Sequence, residues 1–219
     1  MTRLLSPTFL LAVAVLALYL VVATDPAPAA AISARAKACE FRGSRTVRRS
    51  RDVRIYTREN RGYFGCHYDR GRSYRLGSFR DVGSPGFLGK SDHLRISAPY
   101  VGYETVQGRF SASFTQAINL RTGRLARSVY NGGGTGSDVP LGVTDVELSR
   151  SGAIAWILLI TDTDTDGTRG EVRVGPRSLP LRQATTIDRG PDVDPRSLVL
   201  RGTTLYWTNA GVRRSVTLR

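Results

Sequence analysis

The chain has 219 residues, 23.9 kDa, with 41% apolar residues, which excludes wholesale disorder and suits one domain or two small ones. Two cysteines and two histidines leave little room for a multi-ligand zinc site. The 32 basic side chains against 18 acidic ones give a net charge of +14, yet all but Lys37 and Lys90 are arginines, scattered apart from Arg3 over Arg35 to Arg219, with no run that reads as a nucleic-acid arm.

The first elements in the chain look like an export signal. Arg3 supplies a positive start, and Phe9 to Ala23 is an unbroken apolar stretch of 15 residues. Such a run is short for a membrane-spanning helix but fits the core of a signal peptide. Ala27-Pro-Ala29 and Ala29-Ala-Ala31 both offer small-x-small cleavage sites. The expected division is a signal peptide over 1–31, a linker over 32–38 and a β domain over 39–219. An uncleaved anchor is the alternative, because Leu4 and Leu5 lengthen the apolar segment. Secretion places Cys39 and Cys66 in an oxidising compartment, where the pair is expected to form a structural disulfide.

From Cys39 onward the chain repeats. Four short segments of β-branched or small residues surround one aromatic each: Tyr56, Tyr103, Trp156 and Trp207, spaced 47, 53 and 51 residues apart. The last three follow alternating segments, His93–Ser97, Asp145–Ser149 and Ser197–Arg201, whose period of two predicts half-buried strands. Hairpin-like turns keep the same beat at Asp69–Arg72, Arg121–Arg124 and Val174–Arg177, with their glycines 52 residues apart both times. Pro- and Gly-rich connectors fall between the units, among them the stretch after Gly83. That stretch has Ser84 where a phosphate loop requires its first glycine. Units of about 50 residues with four short strands are the pattern of propeller blades. The expectation is an all-β fold of four blade-like antiparallel sheets, the last of three strands, with Cys39–Val47 as candidate closing strand. A β-sandwich of the same hairpins is the alternative.

The segments Cys39–Tyr56, Tyr63–Gly77, Val143–Ile157 and Asp188–Leu218 carry a resemblance to uncharacterised exported propeller-like proteins of high-GC actinobacteria. The resemblance implies the fold and export. It implies no activity.

Chemistry-bearing residues are few. Asp162, Asp164 and Asp166, closed by Gly167, place three carboxylates on one turn, a pattern that suits calcium. Glu171 is the candidate to complete the shell, since Arg173 stands where an EF-hand needs its bidentate glutamate. A solvated polar hairpin loop is the simpler reading of the same residues. Ser91, Asp92 and His93 contain triad residue types, but contiguous neighbours do not form the relay. His67 and His93 read as surface or turn histidines, and Asp188, Asp192 and Asp194 as turn formers. The four repeat aromatics read as blade core rather than a sugar-stacking platform. The expected function is an exported, non-catalytic binding or scaffolding module at the envelope or outside it, with an anionic envelope polymer or a surface protein as partner. The alternative is a hydrolase or lyase acting on envelope polysaccharide.

Overall fold

In the computed structural model, residues 38–58, 62–77, 87–88, 93–107, 112–132, 138–162, 167–176 and 184–218 are described. The expected signal peptide over 1–31 lies outside them, and no helix among the described residues is long and apolar enough to cross a membrane.

The described residues form antiparallel strands arranged in four successive sheets. The first contains β1 (Ser44–Arg49), β2 (Val53–Arg58), β3 (Gly62–His67) and β4 (Arg72–Gly77) in that order. In the second, β5 (Phe87–Leu88) and β6 (Arg95–Ser97) both pair with β7 (Tyr100–Gln107), followed by β8 (Ala112–Asn119) and β9 (Arg124–Gly132). The third orders β10 (Asp138–Leu148), β11 (Ile154–Asp162), β12 (Gly167–Gly175) and β13 (Thr185–Gly190). The fourth holds only β14 (Val199–Arg201), β15 (Thr204–Asn209) and β16 (Val212–Thr217). The repeat and its shortened last unit are therefore as the sequence predicts.

Core packing shows how the sheets meet. Val53, Ile55 and Leu76 of the first sheet pack with Val101, Tyr103 and Ile118 of the second. Ala117 and Val129 of the second pack with Ile154, Trp156, Leu158 and Ile160 of the third. Ala155, Ile157, Val172 and Val174 of the third pack with Leu198, Leu205 and Trp207 in and beside the fourth. The second and third sheets thus bury both faces, as stacked blades do, whereas each sheet of a two-layer sandwich buries one. Strand β11 shows why: Ile154–Ile160 is apolar at every position, the mark of a strand with no solvent side. All four repeat aromatics are core, none more than 4% exposed.

Two sequence expectations need correction. Cys39–Val47 does not close the fourth sheet: β1 is the first strand of its own sheet, paired with β2. The turns at Gly71 and Gly123 do have positive φ (+58° and +71°), a conformation that glycine adopts without steric cost. Gly175, by contrast, ends β12 opposite Ile154 and is not among the positive-φ glycines. Pro176 follows it, and β12 and β13 are joined by a longer connection. Part of the Gly83–Ser91 connector also becomes strand, since Phe87 and Leu88 pair with β7. Ser91 and Asp92 lie outside the described residues.

The segment before β1 caps the far face of the first sheet. Cys39 is bonded to Cys66 of β3, with Cα atoms 5.9 Å apart. Phe41 stacks on Tyr56 at 5.2 Å, and Tyr56 in turn on Phe64 at 5.7 Å. Arg54 donates to Cys39 O at 2.6 Å and to Ser44 Oγ at 3.0 Å. The outer strand of the third sheet is tied to the fourth by Asp188. Its carboxylate accepts from Trp207 Nε1 at 2.6 Å, Asn209 Nδ2 at 3.1 Å and Arg214 Nη1 at 3.2 Å. Asp188 is thus a strand residue joining two sheets and not a turn former. Asp194, whose Oδ1 accepts from Arg196 N at 3.0 Å, does form a turn.

Two outcomes are expected. Reducing the disulfide, or Cys66→Ser, removes a cross-link over a loop of roughly 26 residues and costs about 3 kcal/mol by the chain-entropy argument, read by urea unfolding with and without reductant. Burial alone would raise the Asp188 carboxyl, but hydrogen bonds from Trp207, Asn209 and Arg189 N, with the Arg214 charge, outweigh it and hold the group below the usual carboxylate range. A depressed folded value stabilises above the unfolded value and loses that contribution as pH falls through the folded one. Asp188→Asn is therefore expected to be less stable by about 1–3 kcal/mol at pH 7. Its deficit should close in unfolding curves taken below about pH 4.

Candidate functional site

The three alternating segments share a 52-residue spacing, with His93, Asp145 and Ser197 at equivalent positions. His93 and Asp145 line one cavity, whereas the Ser197 hydroxyl donates to Asp194 O at 2.8 Å. A cavity of about 900 Å³ lies between the second, third and fourth sheets, walled by His93, Arg95 and Glu104, by Pro140–Asp145, and by Pro195, Arg196 and Leu198. Concave sites of this size with a few convergent polar groups are where small ligands bind.

The wall contributed by the second sheet is a buried polar network. Glu104 on β7 is 5% exposed. Its Oε1 accepts from Ser113 Oγ at 2.6 Å and, across the sheet boundary, from Val143 N at 3.2 Å. Asn131 on β9 donates to Ser113 Oγ at 3.0 Å and to Thr115 Oγ1 at 2.9 Å. Glu104, Ser113 and Thr115 share one face through the β7–β8 register, which sets Glu104 opposite Thr115 and Val106 opposite Ser113. His93 Nδ1 stands 3.6 Å from Glu104 Oε2, beyond a hydrogen bond, and has no hydrogen-bond partner among the described residues.

Asp145 on β10 links three sheets. Its Oδ1 accepts from Val146 N at 3.0 Å and Arg95 Nη2 at 3.1 Å, and its Oδ2 from Leu198 N at 3.0 Å. Burial raises the Asp145 carboxyl, while Arg95 and the two amides work against it. Burial likewise raises Glu147, against Arg95 and with the repulsion of Asp145. Arg196 at the rim is exposed. The serine near the histidine donates to the carboxylate rather than to the imidazole, so Ser113, Glu104 and His93 lack the order of a nucleophilic triad.

The sequence candidates fall as follows. Cys39 and Cys66 form the expected disulfide. His67 is a turn residue but buried: its carbonyl accepts from Arg70 N and Gly71 N, its Nδ1 from Asp69 N, and burial lowers its basicity. His93 is neither a surface nor a turn histidine but part of the cavity wall. Asp164 and Asp166 lie outside the described residues, and Asp162 ends β11 opposite Gly167. Glu171 does not fit a calcium shell. Arg173 holds its Oε2 at 2.9 and 2.7 Å, Arg169 stands 3.5 Å from Oε1, and Glu171 lies four positions along the strand from Gly167, about 13 Å. Among the described residues no group of three or more His, Cys, Asp or Glu side chains could hold a metal ion. Glu104, Ser113 and Asn131 escaped the sequence reading because their spacing matches no motif. Only the alternation of β7 and β8 hints that these polar residues point inward.

No family model matches the chain, and no curated protein is significantly similar to it. The site is therefore interpreted from its own geometry.

Removing the Glu104 carboxylate strands the Val143 amide and Ser113 hydroxyl in a buried setting. Glu104→Ala is expected to cost about 2–4 kcal/mol in chemical denaturation, and Glu104→Gln distinctly less, because an amide oxygen in the place of Oε1 still accepts from both Ser113 Oγ and Val143 N.

Proposed function

We propose that this chain is an exported, non-catalytic binding module and that the cavity between the second, third and fourth sheets is its ligand site. The observation that carries this reading is the use made of the two cavity carboxylates. Glu104 Oε1 accepts two hydrogen bonds, one from the neighbouring sheet, and Asp145 accepts three, two of them from neighbouring sheets. Groups committed this way shape a rigid wall rather than shuttle protons.

An anionic group is the ligand chemistry that fits, on an envelope polymer or a surface protein. Arg95, Arg196 and His93 supply the basic groups around the cavity, and among the described residues no Phe, Tyr or Trp lines it to offer a sugar-stacking platform. The net charge of +14 would draw such ligands from a distance. Export is supported by the Cys39–Cys66 disulfide and by the apolar leader. The resemblance to exported actinobacterial proteins points the same way. A second reading, a hydrolase or lyase acting on envelope polysaccharide, draws on one observation: burial raises Asp145 in a cavity that also holds Glu104 and His93.

Thermal melting of the oxidised chain separates the two. Heparin or polyphosphate at about a hundredfold excess over Kd is expected to raise Tm by about 5–10 °C, with neutral dextran oligosaccharides inert. Arg196→Ala should abolish most of the shift. Release of reducing ends from an acidic glycan, lost in Asp145→Asn, would instead establish the enzyme.

A further inference from the structure

The first three sheets each run to an outer strand, β4, β9 and β13, whereas the fourth stops at β16. Among the described residues nothing pairs with the outer edge of β16, and its residues are exposed except Val216, which is half-buried. The register shows which atoms that edge offers. Leu218 N donates to Thr203 O at 2.7 Å, continuing the ladder that sets Leu205 opposite Val216 and Trp207 opposite Arg214. Hydrogen-bonded and non-hydrogen-bonded pairs alternate along an antiparallel ladder. Val212, Arg214 and Val216 therefore turn their amides and carbonyls toward β15, and Arg213, Ser215 and Thr217 turn theirs outward.

We propose that this edge takes up an extended acidic segment of a partner protein as the fourth strand of the fourth sheet. The charge on the edge selects the occupant. Arg213 stacks over Tyr206, its guanidinium carbon 4.3 Å from the ring centroid, on the face that β16 shares with the exposed Arg201. Arg214 lies on the opposite face, 3.2 Å from Asp188. Arginines on an edge strand deter pairing with neutral or basic strands, and a second copy would bring another net charge of +14 to the same edge. An acidic strand meets the opposite charge, in the recognition mode where main-chain bonds provide affinity and alternate side chains provide selectivity. The chain's own candidate for the position, Cys39–Val47, is committed to the first sheet through β1 and the disulfide. The proposal is independent of the cavity.

The geometry makes the test specific. Partner residues that hydrogen-bond to Arg213, Ser215 and Thr217 lie opposite them on the Tyr206 face, so glutamates at those positions meet Arg213. The probe is a fluorescein-labelled peptide of about eight residues alternating valine and glutamate, titrated with the oxidised full-length chain and followed by anisotropy. Binding is expected. N-methylation of the glutamate amides should weaken it at least tenfold, and N-methylation of the valine amides should leave it within about twofold. A lysine-for-glutamate peptide should not bind. Ser215→Pro removes one outward N–H and no ladder bond, so it should lose binding at least tenfold without a change in Tm. Should Ser215→Pro fail to fold, the two methylated peptides decide alone. No binding of the acidic peptide, equal binding of both methylated forms, or wild-type binding by a folded Ser215→Pro would each overturn the proposal. Self-association in sedimentation velocity that Ser215→Pro abolishes would also overturn it, and assign the edge to a second copy.

Discussion

Strand β11 has no polar side. From Ile154 to Leu158 its side chains alternate between two apolar clusters, one shared with the second sheet and one with the fourth, and beyond them Leu159 lines the cavity. Each large apolar side chain buried this way contributes about 1.5–3 kcal/mol, and the strand obtains that only if a sheet covers each of its faces. The order of second, third and fourth sheet follows from this constraint. Gly102 shows how close the packing is: a Cβ there would lie 3.1 Å from Ile154 Cδ1.

Apolar packing alone would let sheets slide, because it is not directional. Direction comes from a few buried carboxylates placed where sheets meet. Glu104 accepts from Val143 N, Asp145 from Leu198 N and Arg95, and Asp188 from Trp207 and Asn209. Each bond crosses from one sheet to the next, and a stranded partner would be costly. Two of the three line the cavity, so the groups that fix the sheets also shape the proposed ligand site. That coupling favours a preorganised binding wall over a proton-transfer pair, and it leaves Arg196 and His93 as the side chains best placed to meet a ligand.

The two ends of the stack are finished differently. At the first sheet, the disulfide and the Phe41–Tyr56–Phe64 ring stack cover the outer face. At the fourth, the outer face carries Thr204, Tyr206, Thr208, Arg213 and Ser215, polar enough to stand in water without a cover. What stays unsatisfied there is the backbone edge of β16. Among the described residues no core cluster spans the first and fourth sheets, and the fourth end is open to another strand.

The repeat, the all-β class and the disulfide are legible in the sequence, because each rests on local chemistry. Period-two alternation marks half-buried strands, glycine marks the positive-φ turns at Gly71 and Gly123, and a lone cysteine pair has one intramolecular partner to find. Of the cavity, the 52-residue spacing shows only that His93 and Asp145, two of its lining residues, are at equivalent positions. Tertiary structure alone decided the rest. Glu104, Ser113 and Asn131 become a network only when β7, β8 and β9 align in register, Glu171 pairs with Arg173 along its own strand, and β1 joins the first sheet instead of closing the fourth. Local sequence sets which face a side chain takes; which sheet that face meets depends on non-local pairing, where burial and hydrogen-bond satisfaction are settled across the whole fold.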